Sequence, residues 1–278
     1  MFREITLGQY YAVDSVIHRL DPRVKLFGTL IYIMSVFMAG GLSGYLIVTM
    51  VYMLVMKLSK VPFSFALRGL KSVVWIVLMT FICNAFFYTG GTPFIKYGVI
   101  SISAAGIKYG VAMSVRLILL VLGSSILTLT TTPNELTYGL EKAFGFLIKF
   151  HVPVQEIALM MSIALRFIPI LIEETDKIMK AQASRGTDFD TGSIIKRVKN
   201  YIPIIIPLFI SAFRRAGDLA LAMESRCYRT GYQRTKMYPL KYTKADGKGY
   251  LVLMVYLLLF TLAKCTLLYT GNSGFYTM

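Results

Sequence analysis

Acidic residues are scarce in this chain: 14 Asp and Glu stand against 30 Lys and Arg over 278 residues. Histidine is scarcer still. His18 and His151 are the only two, and neither belongs to an H-E-x-x-H or comparable ligand spacing, so no metal site is expected and each reads as an interfacial or capping polar residue. Cys83, Cys227 and Cys265 form no C-x-x-C pair, which argues against a disulfide framework or a thiolate metal site and leaves them as small apolar fillers. A G-x-x-x-x-G-K-[ST] phosphate loop is also missing, so the chain is expected neither to bind nor to hydrolyse ATP. With no recognisable nucleophile, metal set or acid-base pair, an enzyme is disfavoured and no cofactor is expected.

What is abundant is apolar surface. Hydrophobic residues make up 56% of the chain, charged ones 16%, and the mean hydropathy is +0.62, which marks an all-α membrane protein. The formal charge of +16 could point to nucleic acid, but in so apolar a chain it reflects the Lys and Arg bias of cytoplasmic loops, and no nucleic-acid partner is expected. The first long apolar run starts only near Leu26, behind "HRLDPRVKL", so the N-terminus reads as retained and cytoplasmic.

About five transmembrane helices are expected. They are "LFGTLIYIMSVFMAG", "YLIVTMVYMLVM", "SVVWIVLMTFICNAFFY", "GIKYGVAMSVRLILLVLGSSILTLT" and "YLVLMVYLLLFTLAKCTLLY". Arg19, Arg23 and Lys25 precede the first, and Lys57, Lys60, Arg68 and Lys71 lie between the second and third; those segments face the cytoplasm. The nearly uncharged connections "AGGLSG" and "TGGTPFIKYGVISISAAG" face outward, as does the uncharged tail after Tyr269. Arg116 is the one basic residue well inside an expected span; it snorkels, pairs within the bundle or meets a partner. The organisation expected is residues 1–132 as a membrane domain with four spans, 133–248 as a cytoplasmic coupling domain, and 249–278 as a last span with a short tail.

Residues 133–248 carry 18 basic and 11 acidic residues. Two apolar runs there, 157–172 and 201–213, are interrupted by Arg166 and Pro169 and by Pro203 and Pro207, which suits interfacial or protein-buried helices better than spans. A seven-span topology would also leave each of the helix ends described below near a membrane face. "TTPNEL" starts a helix with Thr132 as cap, Pro133 at the first position and Glu135 completing a capping box, running to about Phe150. After "HVPVQE" a second helix runs from Val154 to about Ser184, roughly 45 Å at 1.5 Å per residue.

That helix ends in "AQASRG" and the next in "AMESRC". A single terminal arginine is explained by the helix dipole. Two long apolar helices each tipped by Ser-Arg-small make a pair of pegs, because the guanidinium offers a rigid fork to a carboxylate in a partner's groove. Asp21, Pro22 and Arg23 form a structural motif that starts the first helix, Asp21 as cap and Pro22 at its first position.

In order along the chain, "HRLDPRVKL", "TTTPNELTYGLEKAF", "ALRFIPILIEE" leading to "AQASRG", and "FRRAGDLALAMESRCY" resemble the transmembrane T component of energy-coupling factor transporters, the family of the permease CbiQ. The resemblance covers nearly the whole chain. It implies a non-catalytic scaffold in the cell membrane that joins two ABC-type ATPase subunits to a substrate-binding S component for uptake of vitamins or other micronutrients. It also implies ATPase docking by Ser184, Arg185 and Gly186 and by Ser225, Arg226 and Cys227. In the second triplet cysteine stands where the family has glycine. Leu159, Met160, Ile163 and Phe167 are candidates for the platform under the S component; internal packing between the coupling helices is the alternative. The other function class is a stand-alone secondary transporter of a polar solute, which would be expected to show intramembrane acids; the five expected spans contain no Asp or Glu.

Overall fold

The fold was analysed in a computed structural model that describes residues 10–88, 93–97, 100–187, 189, 193–229, 231 and 242–269. The expected retained N-terminus, most of the "TDFDTGS" turn and the tail after Tyr269 fall largely or wholly outside them. The chain divides into two compact units, one drawn from Gly8–Gly139 and Leu240–Met278, the other from Leu140–Pro239.

In the first unit, helix α1 (Pro22–Met38) starts where local rules place it. The Asp21 carboxylate accepts from the Arg23 N–H at 2.9 Å, and Pro22 takes the first position, where no N–H is missed. Helix α2 (Gly41–Ser59) follows after two residues. At 17 and 19 residues these two helices measure about 25 and 28 Å, slightly short of an average hydrocarbon core.

The connection expected to face the cytoplasm, with Arg68 and Lys71, contains an amphipathic helix α3 (Phe63–Lys71) that buries Ala66 and packs on α5 (Ala104–Thr130). The chain then bends by 61° into α4 (Val74–Phe87). The connection expected to face outward contains an antiparallel hairpin, β1 (Pro93–Tyr97) with β2 (Ile100–Ser103), and Ser103 caps α5 by accepting from the Gly106 N–H at 3.0 Å. Its β-branched and aromatic residues, in "PFIKY" and "ISIS", favour the pleated conformation.

Helix α5 is central to this unit, packing on α1, α2, α3 and α4. Gly106 and Gly110 make the α4 approach possible: a Cβ at either would lie 3.2 Å from a carbonyl oxygen of α4, that of Asn84 or Phe81. Small residues at such spacing let helix backbones meet closely without help from the hydrophobic effect. Gly123 goes further, since a Cβ there would fall 2.1 Å from the Tyr32 ring. The buried core joins Tyr32 and Val36 of α1, Val48 and Tyr52 of α2, Leu119, Leu122 and Leu129 of α5, and Phe260 of helix α9 (Lys244–Tyr269).

Arg116 pairs within the bundle. Its guanidinium donates to the carbonyl of Ala39, the C-cap of α1, at 3.4 Å, which sets a cation against the negative end of that helix. At the opposite end of α1 the "HRLDPRVKL" motif closes a polar knot. The buried Lys25 amine donates to the carbonyls of His18 and Thr130 at 3.0 and 2.8 Å, and the His18 ring bonds the Ser15 hydroxyl and the Tyr11 carbonyl. The knot also takes in Asp246, which sequence reasoning missed. This residue is 1% exposed and accepts from the Asp21 N–H and from both the N–H and hydroxyl of Thr243, each at 2.7 Å.

Helix α6 (Pro133–Ala143) links the units in sequence. Thr132 and Glu135 form the expected capping box, the Thr132 N–H donating to Glu135 at 3.2 Å and the Glu135 N–H to the Thr132 hydroxyl at 3.3 Å. The α-helix does not reach Phe150 as expected: from Phe144 to Phe150 the chain tightens into a 3₁₀ helix, ended by His151 in the left-handed conformation. The run "FGFLIKF" lacks strong helix formers at alternate positions, and its Gly145 weakens the α form further. In the second unit follow α7 (Val154–Ser184) and α8 (Ile194–Ser225), unbroken through Pro169 and through Pro203 and Pro207.

By length and composition three helices among the described residues can cross a membrane: α5, α7 and Lys244–Cys265 of α9; counting the bent pair α3 and α4 as one span makes four. The inclusion of α7 departs from the reading of 157–172 as too interrupted to span. The reason is that neither Arg166 nor Pro169 breaks the helix, and very little of its apolar window is buried within the chain. The protein is an all-α membrane protein apart from the one hairpin.

Candidate functional site

The two long helices of the second unit lie antiparallel. Near the end of α7 the Gln182 amide donates to the Pro203 carbonyl at 3.4 Å; further back Arg215 of α8 meets Glu174 of α7 at 3.0 Å; and the Gly231 N–H, just past α8, donates to Glu156 in the first turn of α7 at 3.1 Å. Proline explains the first of these contacts. The Pro203 carbonyl would ordinarily accept from residue 207, but Pro207 has no N–H, and Gln182 fills the vacant acceptor. Of the acids Glu173, Glu174 and Asp176 on α7, Glu174 thus clamps the helix pair, while Arg214 beside its partner is exposed.

Each helix ends in the same turn. At the end of α7, Arg185 is the C-cap, Gly186 has φ +87°, the Gly186 N–H donates to Ala183 at 2.9 Å and the Thr187 N–H to Gln182 at 3.1 Å. At the end of α8, Arg226 is the C-cap, Cys227 has φ +57°, the Cys227 N–H donates to Glu224 at 2.9 Å and the Tyr228 N–H to Met223 at 2.9 Å. Both are Schellman closures with a left-handed residue directly after the arginine. Cys227 thus adopts the conformation that glycine takes in the other tip, at a cost of about 1–2 kcal/mol for an L-residue.

Ser184 and Ser225 turn their hydroxyls back onto helix carbonyls, of Lys180 and Ala222, each at 3.0 Å. They serve the helix ends rather than offering donors outward. Arg185 and Arg226 are exposed on both tips. Because α7 and α8 run antiparallel and their contacts set Arg226 level with a residue about 24 positions before Arg185, the two arginines stand toward opposite ends of the pair, roughly 36 Å apart along it.

If the tips dock partners as the resemblance implies, this geometry predicts that Cys227→Gly leaves uptake by the assembled complex within about twofold of wild type, the range of a neutral surface change. A bulky residue at Gly186, such as Gly186→Val, should instead cut uptake severely, because a β-branched side chain does not tolerate φ +87°. Uptake assays on the two variants side by side check this; equal damage from both would contradict the turn geometry.

Of the four platform candidates, Met160 is 59% exposed, whereas Leu159, Ile163 and Phe167 are half-buried. A broader apolar face lies on α8, where Ile202, Ile205, Ile206, Phe209, Ile210 and Phe213 are all 46–64% exposed. Its i, i+3, i+4, i+7 spacing was readable in the sequence, and only the two prolines within it drew attention away. Among the described residues no group of three or more His, Cys, Asp or Glu is placed to hold a metal ion.

The family described as "Cobalt transport protein" (CbiQ) matches residues 14–238. The chain is also similar to proteins named energy-coupling factor transporter transmembrane protein EcfT. With that of Acidaminococcus fermentans it shares 49% identity over 260 residues, 93% of this chain and 97% of the relative. With that of Clostridium kluyveri the identity is 47% over 248 residues, covering 88% and 92%. With that of Bacillus subtilis it is 44% over 255 residues, covering 92% and 96%. The family match takes in α1 to α8 and both arginine tips, and with similarity over so much of both chains this chain belongs to the CbiQ family as the transmembrane component of an energy-coupling factor transporter.

Proposed function

We propose that this chain is the mechanical coupler of an ATP-driven importer: Arg185 and Arg226 dock in grooves of two ABC-type ATPase subunits, and the apolar faces of α7 and α8 carry a substrate-binding S component. The observation that carries this reading is the pair of matching arginine-tipped turns at opposite ends of one antiparallel helix pair. One docking partner needs one peg; two equivalent pegs roughly 36 Å apart fit two equivalent subunits. Closure of the ATPases around ATP would draw the tips together, and long unbroken helices pass that displacement to their apolar faces. The clamps between Arg215 and Glu174 and between Gln182 and Pro203 support movement of the pair as one lever system.

The platform on this reading extends from Met160 on α7 to the exposed stripe between Ile202 and Phe213 on α8. On this reading α7, although long and apolar enough to span, stays with the rest of residues 133–248 on the cytoplasmic side, its exposed apolar face covered by the S component; the N-terminus is also cytoplasmic and the C-terminus outside, following the placement of Lys and Arg. The cargo, a vitamin or other micronutrient, is selected by the S component. ATP is hydrolysed in the partner subunits. The alternative of a secondary transporter is weakened by Asp246, the acid at the start of α9, whose carboxylate is engaged by three donors.

Purification of the tagged chain from its own membranes in mild detergent tests the proposal. Two ATPase subunits and a small membrane protein are expected to accompany it, as identified by mass spectrometry. A chain that comes alone, and moves solute into liposomes without ATP, would refute it.

A further inference from the structure

Within the first unit a cavity of about 320 Å³ lies between α1, α2, α5 and α9. Its lining is almost wholly apolar, and on α9 it runs from Ala245 to Tyr256, about 16 Å along the helix axis. That equals roughly one leaflet of a 30 Å hydrocarbon core. Its rim is open to the surroundings: Val16, Leu54 and Val252 are 64%, 54% and 59% exposed.

Charge is confined to one end. Lys25 and Lys248 line the cavity at the start of α1 and the first turns of α9, beside the polar knot. The Lys25 amine is occupied by two carbonyls, whereas Lys248 is exposed. Among the tyrosines of the lining, Tyr32 donates to the Leu119 carbonyl at 3.1 Å and Tyr256 bonds Ser35, but the buried Tyr52 hydroxyl has no hydrogen-bond partner among the described residues. A void of this size has room for about ten waters, yet an apolar lining does not hold them, and an open void forfeits packing on every wall.

We propose that this cavity holds one acyl chain of an anionic phospholipid, its headgroup at Lys248 and its chain directed along α9. The length matches one leaflet, the lining matches a hydrocarbon, and the exposed ammonium at the only charged end matches a phosphate. Such a lipid would act as a structural filler between α1 and α9, two helices distant in sequence. The inference is independent of what docks on the arginine tips.

Native mass spectrometry of the full chain, exchanged into equal amounts of phosphatidylglycerol and phosphatidylcholine, tests it. One retained phosphatidylglycerol is expected on the wild type. Val55→Phe, which fills the cavity, should lower its retention about tenfold, and Lys248→Ala should abolish the preference for the anionic lipid without removing the chain-dependent binding. Ala245→Phe provides a second block at an exposed lining position, where folding is not at risk. Retention unchanged by both blocking variants would overturn the proposal. So would a photocrosslinker at Val55 that labels a protein helix in native membranes instead of lipid.

Discussion

Uptake should fall to background when Arg185 and Arg226 are both replaced by glutamate, while the chain continues to insert in the membrane and to resist mild heating as wild type does. Both side chains are exposed at helix ends, so the fold has little stake in them. On the proposed docking, the partner grooves have a large stake. Losing a desolvated, hydrogen-bonded charge pair at an interface costs about 2–5 kcal/mol, and two tips together lose at least roughly 4 kcal/mol, near a thousandfold in affinity. Reversal of sign adds repulsion wherever the groove presents a carboxylate. The measurement is ATPase capture by the tagged chain, alongside uptake by cells carrying each single variant and the double. Single variants should each retain one ATPase contact and a measurable fraction of capture. Wild-type uptake in the double variant would rule out the tips as the coupling contacts.

A second large effect is expected far from the tips. Asp246→Ala removes an acceptor shared by the Asp21 N–H and the Thr243 N–H and hydroxyl, in a place that is 1% exposed. One buried donor, the Asp21 N–H, and two part-buried donors of Thr243 lose their partner at up to about 1 kcal/mol each, so the variant should be less stable by about 2 kcal/mol. For a chain of this size that lowers the melting temperature by about 4–8 °C. Asp246→Asn, which keeps one acceptor oxygen, should recover part of the loss. Thermal unfolding in detergent, followed by the tyrosine and tryptophan signal, decides the matter; a melting temperature within a degree of wild type would mean that the knot carries no stability. The ATPase capture of this variant at low temperature should be intact, which separates its effect from that of the arginine tips.

Glycine and cysteine at the two tips show how far local chemistry can be read. Gly186 announces a left-handed residue; Cys227 does not, and only the repeated Ser-Arg pattern suggests that it behaves alike. The Asp246 knot was also partly legible, since Thr243-x-x-Asp246 has the spacing of a capping box and Asp246 is an acid in an acid-poor stretch. Its link to Asp21 was not, because nothing local distinguishes one buried N–H, 225 positions away, from any other.

The sequence by itself determined the membrane class, the starts of α1 and α6, the full extent of α7 and the two arginine-tipped ends. Each of these follows from short-range effects: apolar content, caps within three residues, and breakers that set a helix end. Tertiary structure alone decided that the Arg68 segment folds as α3, that Arg116 rests on the α1 C-cap, that Gln182 serves the carbonyl orphaned by Pro207, and that α7 and α8 run antiparallel so as to part the two tips. In each case a polar or apolar group must be satisfied by a neighbour distant in the chain. Which neighbour arrives is fixed by the packing of whole helices, and a single sequence carries no local record of that choice.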